Sequence, residues 1–391
     1  MIQVRVKPKV EEKLKGFFPW VYKPEILSYT KKPNPGDDVV VRDAGGHFLG
    51  YGYVNPNTNI SIRMLSYRKE EKISDKLIRE RIEQAYLYRK SLSLNTNAFR
   101  LVHSEGDLLP GLVVDVYDEY VVVEFTTYGM NIMRSWVISA LVDVLKPKGI
   151  YERANGYAQS VEGFKTSEGA LYGQVPDEVI IYEVDVKYYV SIPQGQKTGF
   201  FLDQRVARKL IRNLTKPGFR CLDLFCHSGG FAINMKKAGA EDVIAVDVSE
   251  LALGLGKKNE RLNGLSGITW IEDNAFDFMR RLHQEKRKFN LIVIDPPSFA
   301  KNRAGVPNAL RGYKELCVRA LPLVEASGYI AIFSCSFHIT EEHLLDVLWD
   351  SAKDVRRYLR VINRSFQDLD HPWLIQVPNT LYLKGVYVEV F

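Results

Sequence analysis

Four aspartates stand at or near the carboxyl ends of four predicted apolar strands: Asp223, Asp247, Asp273 and Asp295. A fifth strand, Ile330-Ala-Ile-Phe-Ser, runs into Cys335. One acid at a strand end is ordinary. Four acids and a thiol on one rim describe a polar pocket for an amine, ribose hydroxyls and an exocyclic amino group, with a nucleophile beside it. A free cysteine is usually a small buried hydrophobe, and Cys221 and Cys317 read that way. Cys335 differs by position, because it would face the same rim as Asp295 among the polar Ser334, Ser336 and His338. Asp295 opens Asp295-Pro-Pro-Ser-Phe299, where two prolines cannot donate to a ladder and the chain must leave the sheet.

These residues need an alternating frame to position them. Cys221-Leu-Asp-Leu-Phe-Cys-His-Ser-Gly-Gly230 reads as a buried strand, a tight turn at Gly229 and Gly230, and a helix opening at Phe231. The next strand, Val243 to Asp247, ends on a carboxylate. This is a strand–turn–helix–strand unit of the dinucleotide-binding kind. The glycines let the backbone approach a ligand, and Asp247 can accept from both ribose hydroxyls. The turn lacks the G-x-G-x-x-G spacing, and nothing nearby is basic enough to hold a pyrophosphate. A nucleoside without phosphates fits better, and S-adenosylmethionine is the candidate cofactor. Asp247 would then take the ribose and Asp273 the adenine amino group. A plain α/β unit in which Asp247 only caps the next helix stays open as the alternative.

Strands and helices alternate from a helix at 206–214 through strands at 268–271, 291–294 and 329–333, which predicts a doubly wound parallel sheet. Strands near 360–366 and 381–391 would close it with an antiparallel pair. Ahead of this, residues 36–66 read as short strands (39–42, 47–54, 59–65) separated by glycine and Asn-Pro-Asn corners. Gly36-Asp-Asp-Val-Val-Val and Gly46-His-Phe-Leu-Gly-Tyr-Gly52 resemble a PUA domain, an RNA-binding pseudo-barrel, with Tyr22, Arg42 and Tyr53 as residues that could meet RNA. Ser74-Asp75 caps a predicted helix to about Ser91, read as a connector packed on one side. Residues 98–182 follow as strands around a helix at 131–145. Glu105, Asp107 and Asp115 lie on turns and strand ends without a histidine at ligand spacing, so no metal site is expected.

With 391 residues, 46% of them hydrophobic, the chain can bury several cores. The four cysteines form no C-x-x-C pair and no regular framework, which favours a reducing compartment. The N-terminus has no apolar signal core and no apolar run approaches membrane-spanning length, so a soluble cytoplasmic protein is expected. The net charge of +6 is unevenly spread: +7 over residues 1–95, −6 over 96–180 and +5 beyond. A basic head and tail around an acidic middle suit a polyanionic partner, with solvated surface charge as the plain alternative.

Taken together, Glu105-Gly-Asp-Leu-Leu-Pro-Gly-Leu, Lys197-Thr-Gly-Phe-Phe-Leu-Asp-Gln-Arg, Asp223-Leu-Phe-Cys-His-Ser-Gly-Gly-Phe, Asp295-Pro-Pro-Ser-Phe and Ser334-Cys-Ser are similar to the PUA-containing family of ribosomal RNA cytosine-5 methyltransferases. The resemblance implies an α/β fold: a Rossmann-like methyltransferase domain (184–391) behind a PUA-like β-barrel (1–68), a connector helix (69–94) and a central α+β domain (95–183). It implies S-adenosylmethionine held by Phe201, Gln204, Asp223, Phe225, His227, Gly229, Asp247, Asp273, Asn274 and Asp295, with Cys335 and Asp295 catalytic and no metal. Ribosomal RNA, most simply of the large subunit, is the implied partner. The oligomeric state is left open, a homodimer included. Many RNA cytosine-5 methyltransferases carry a second cysteine after the proline of the Asp-Pro motif; here that place holds Pro297-Ser298, so the base that releases product is unassigned, with His338 or a water as options. Two other functions fit part of the pattern: non-covalent methyl transfer to guanine N7 or N2, since an Asp-Pro-Pro turn serves there too, and a non-catalytic RNA-binding assembly factor.

Overall fold

A computed structural model of the chain describes every residue except Gln196, Lys197 and Lys301. The Lys197-Thr-Gly-Phe-Phe-Leu-Asp-Gln-Arg motif therefore begins outside the described residues. The chain divides into two compact units.

The first unit comprises residues 1–181, 190–202 and 369–380. Its amino-terminal part is a six-stranded sheet in which Ile2–Val6 lies parallel to Asp38–Arg42, and Phe48–Val54 bridges Asp38–Arg42 and Ile60–Ser66 in antiparallel register. Ile2–Val6 alternates buried and exposed at period two, the mark of a strand with one face on the core. A five-stranded sheet of Ala98–His103, Leu112–Tyr117, Tyr120–Phe125, Gly149–Glu152 and Gly169–Gly173 follows. The two sheets share one core: Tyr51, Tyr53 and Leu65 from the first pack with Ile78 and Ile82 of helix Asp75–Ser91 and with Leu109 and Val123. Tyr53 is fully buried and donates to the Pro110 carbonyl at 2.8 Å. It cannot stack on RNA, which corrects that sequence expectation.

The helix Asp75–Ser91 is capped by Ser74, whose Oγ accepts from Leu77 N. Its polar face is not simply solvated, because Arg89 is buried and forks onto Asp107 while its Nη2 donates to the Asp370 carbonyl. Arg100 grips Asp115 in the same way, through Nε at 2.5 Å and Nη2 at 2.9 Å. Asp107 and Asp115 are thus counter-ions of buried arginines, and Glu105 accepts from Trp20 Nε1.

The second unit comprises residues 182–189, 203–368 and 381–391. It holds α1 (Arg205–Leu214), β1 (Arg220–Leu224), α2 (Gly230–Lys237), β2 (Asp242–Asp247), α3 (Glu250–Leu262), β3 (Ile268–Glu272) and α4 (Ala275–Gln284). Then come β4 (Phe289–Ile294), α5 (Val306–Ala320), β5 (Val324–Ser334), α6 (Glu341–Val355), β6 (Leu359–Phe366) and β7 (Lys384–Val390). The strand order is β3-β2-β1-β4-β5-β7-β6, with β7 antiparallel to both neighbours. The central strands read as near-continuous apolar runs because helices cover both faces. Leu222, Ile244, Ile292 and Ile332 are at most 1% exposed, and each such side chain stabilises the fold by about 1.5–3 kcal/mol through burial. The order reverses between β1 and β4, so the crevice beyond their carboxyl ends is the switch point where ligands bind in open α/β sheets. Among the described residues no helix is long and apolar enough to cross a membrane.

Candidate active site at the carboxyl rim of the seven-stranded sheet

The turn after β1 is built under strain. Phe225 (φ 65°), His227 (φ 49°) and Gly229 (φ 82°) all take left-handed backbone. Glycine does so freely; each of the other two costs about 1–2 kcal/mol. Such strain collects at ligand sites. At Gly229 a Cβ would stand 2.4 Å from Cη2 of Trp270, so the turn is also fixed from behind by packing.

Around this turn the acids divide by role. Asp223 is fully buried on β1, and its Oδ2 accepts from Ala232 N in the first turn of α2 at 2.9 Å. Its Oδ1 is buried with no hydrogen-bond partner among the described residues. Burial pushes its carboxyl well above the usual range, and the nearby Asp295 and Asp247 charges push it further. The charge of a ligand ammonium would oppose all three effects by favouring the ionised carboxylate. Asp247, at the tip of β2, accepts from His227 N at 2.8 Å and Ser249 N at 3.0 Å. It therefore ties the strained turn to the start of α3, and its half-exposed oxygens keep lone pairs for a ligand. Asp273, just past β3, pairs with Arg281 and accepts from Asn274 N at 2.7 Å, while the exposed Asn274 caps α4.

Asp295 follows β4 directly. Its Oδ2 accepts from Gln204 Nε2 at 2.9 Å, and Gln204 Oε1 is itself buried without a partner. The connection is one that sequence separation hides, since the two lie 91 positions apart. Gln204 is buried just ahead of α1, and α1 is anchored by Arg208, which forks onto the buried Glu183 at 2.7 and 2.5 Å. Phe201 falls in the first unit, apart from the unit that carries the other named residues.

Cys335 comes immediately after β5. Of the four cysteines it alone is not buried. Burial pushes the Cys221 and Cys317 thiols up to about 12 and the Cys226 thiol well above its usual value, which leaves those three inert near neutrality. The buried Tyr313 of α5 lies within electrostatic reach of both Cys335 and Asp295, so the thiol and the acid occupy one neighbourhood. Ser336 Oγ donates to the Ala300 carbonyl at 2.7 Å and fixes the segment after Cys335 to the one after Asp295. Pro297 and Ser298 are exposed.

Sequence reasoning missed Tyr313 and one further residue at this rim. Because β7 runs antiparallel, its first residue, Lys384, pairs with Ser334 at the end of β5. It is 5% exposed, and its Nζ donates to the Ser336 carbonyl at 2.7 Å and the Tyr382 carbonyl at 2.9 Å. The signal was a lysine leading a mostly apolar strand, Lys384-Gly-Val-Tyr-Val-Glu-Val390.

The site suits a cationic nucleoside. Asp223 offers an orphaned oxygen to an amine, the left-handed turn opens backbone to the ligand, and Asp247 can reach a ribose. Known proteins bear this class out. Residues 167–370 match the family model described as S-adenosylmethionine-dependent methyltransferase, and residues 4–67 match that of a PUA-like domain. The enzyme is thus a methyltransferase that uses S-adenosylmethionine. The chain is 36% identical to the ribosomal RNA large subunit methyltransferase I of Tolumonas auensis over 97% of each chain. It is 33% identical to that of Alteromonas mediterranea over 99% of this chain and 98% of the relative. The chain belongs to this ribosomal RNA large subunit methyltransferase I family. Its fold matches a solved methyltransferase complexed with S-adenosylhomocysteine at TM-score 0.87, with 22% identity and both chains fully covered. A structure described as a methyltransferase from Streptococcus mutans matches at TM-score 0.86, again at 22% identity over all of both chains.

Proposed function

We propose that the protein methylates C5 of a cytosine in large-subunit ribosomal RNA, with Cys335 as the nucleophile. The names of the relatives supply the RNA. The observation that carries the chemistry is Cys335 itself, the one accessible thiol of four, at the same rim as Asp295. The cofactor supplies an electrophilic methyl group on a sulfonium. Asp247 would hold its ribose, Asp223 its amine, and Asp273 with Asn274 its adenine.

Cytosine C5 is a poor nucleophile, so the protein must first raise its electron density. Cys335 Sγ bonds to C6, and the electron pair of the C5–C6 bond moves towards N3, where Asp295 stabilises or protonates the developing charge. Gln204 Nε2 holds the Asp295 carboxylate in place for that contact. C5, now enamine-like, takes the methyl as the bond from methyl to sulfonium breaks and its electron pair stays on that sulfur, leaving S-adenosylhomocysteine. A base then removes the C5 proton, any proton placed on N3 returns to Asp295, and the C6–S bond breaks to return the Cys335 thiolate and 5-methylcytosine. The target base must leave any stacked helix, so single-stranded or remodelled RNA is the substrate. Arg5, Lys7 and Lys9 are exposed on the PUA-like segment and suit phosphate contacts.

RNA tritiated at cytosine C5 tests the position. Release of tritium to water in step with methyl incorporation supports transfer to C5. Methyl incorporation with the tritium retained would instead indicate the guanine-directed, non-covalent reaction, and no incorporation the assembly factor.

A further inference from the structure

Lys384 is buried as deeply as an apolar strand residue and has an incomplete set of partners. Its hydrogen bonds go to two backbone carbonyls, of Ser336 and Tyr382. Among the described residues no carboxylate forms an ion pair with it. A cation so enclosed needs a counter-charge or must lose its proton. Burial pushes its pKa down to about 8, and the group that pulls it back up is Cys335. The geometry has the same content. Antiparallel pairing sets Lys384 opposite Ser334, one residue before Cys335, and the Ser336 carbonyl, one residue after Cys335, holds its Nζ. The lysine is therefore clamped to the peptide segment that carries the thiol.

We propose that Lys384 is the proton acceptor for Cys335, so that the resting site holds a thiolate–ammonium pair. The proton leaves Sγ for the Nζ lone pair, and the S–H electron pair remains on sulfur. Two N–H donors of the ammonium stay on the Ser336 and Tyr382 carbonyls, and the third serves the thiolate. After C6–S cleavage the electron pair returns to sulfur and the same ion pair is restored. Lys384 already carries the thiol proton while the adduct exists, so the C5 proton must leave to another base. Among the described residues, titratable groups near the pair include Asp295 beyond β4, Tyr313 on α5 and, beside Asp295, Tyr387 on β7. Burial raises both tyrosines well above their usual range, so they stay neutral while the pair titrates. Lys384 acts through Cys335 and is a positioning residue.

The pair serves the proposed cytosine chemistry, yet it is measurable without RNA. In the full-length protein, the pH dependence of Cys335 carbamidomethylation by iodoacetamide is followed by peptide mass spectrometry. The expected midpoint for wild type is about 7 or below, against about 8.5 for an ordinary thiol. Lys384→Met, with Lys384→Gln as the second variant, should raise it by at least about one pH unit while melting and S-adenosylmethionine calorimetry report an intact fold. Thiolate absorbance at 240 nm in wild type minus Cys335→Ser gives the same midpoint with Lys384 left in place. A wild-type midpoint near 8.5, or an unchanged midpoint in a folded Lys384 variant, overturns the pair. A low, lysine-dependent midpoint without any RNA adduct would instead refute the cytosine reading and leave the pair standing.

Discussion

Replacing Asp247 by alanine separates the job its carboxylate performs within the fold from the one proposed for it towards the cofactor. Within the protein it accepts from His227 N and Ser249 N. Both amides lie beside a half-exposed side chain, so water can replace the lost acceptor, and the expected loss is about 1 kcal/mol for each hydrogen bond, or roughly 2 kcal/mol in all. Towards the cofactor, the contact proposed for the carboxylate is with the ribose hydroxyls. A hydrogen bond to a charged group contributes about 1.5–3 kcal/mol, which predicts a ten- to hundredfold rise in Kd for S-adenosylmethionine. Asp247→Asn keeps one acceptor oxygen and should show the smaller loss in both measurements. Urea unfolding reports the first effect and calorimetric titration the second. An Asp247→Ala protein that melts cooperatively, loses about 2 kcal/mol and still binds the cofactor with unchanged affinity would refute the ribose contact and leave Asp247 as a cap.

Gly229→Ala should cost at least about 2 kcal/mol and weaken cofactor binding, because it combines a left-handed φ of 82° with a Cβ 2.4 Å from Trp270; urea midpoints check the first and calorimetry the second. Asp223, with its pKa raised in the fold, lends stability that is full below about pH 4 and is lost as pH rises through the raised value. Binding a cationic amine should draw that proton off. Calorimetry in buffers of different ionisation enthalpy, repeated from about pH 4 upward, should therefore show proton release that fades as pH rises through the raised value and is absent in Asp223→Asn, and buffer-independent heats across that whole range in wild type would contradict the contact. Neutralising Arg5, Lys7 and Lys9 should weaken RNA binding and lower the salt slope by up to about 2, at roughly 0.7 per phosphate contact on single strands, with cofactor affinity unchanged. Deleting residues 1–68 is the poorer test, because Tyr53 and Leu65 help form the core of the first unit.

The seven-stranded sheet was legible because its strands are buried on both faces and bounded by glycine, aspartate or proline. Cys221, Val243 and Leu291 begin apolar runs that no helix period disguises. Ser74 marked its helix through capping chemistry that acts within three residues. Ile2–Val6 was harder: its alternation is visible, but the partner that makes it a strand, Asp38–Arg42, lies more than thirty residues on. At the site, the acids and Cys335 announced themselves by falling at strand ends. Tyr313 and Lys384 did not, because their relation to Asp295 and Cys335 depends on strand order and on β7 reversing direction; Gln204 was named through the resemblance, but its tie to Asp295 was hidden in the same way. The left-handed Phe225 and His227 were equally hidden, since neither residue type signals a positive φ as glycine does.

The central claim is the bond between Cys335 and C6 of cytosine. RNA carrying 5-fluorocytosine at the target should trap it, because fluorine cannot leave as a proton does. The predicted product survives denaturing electrophoresis, needs S-adenosylmethionine to accumulate, maps to Cys335 by mass spectrometry, disappears in Cys335→Ala and persists in Cys226→Ala. Wild-type methylation by a folded Cys335→Ala enzyme, with no trapped adduct in either protein, would contradict it.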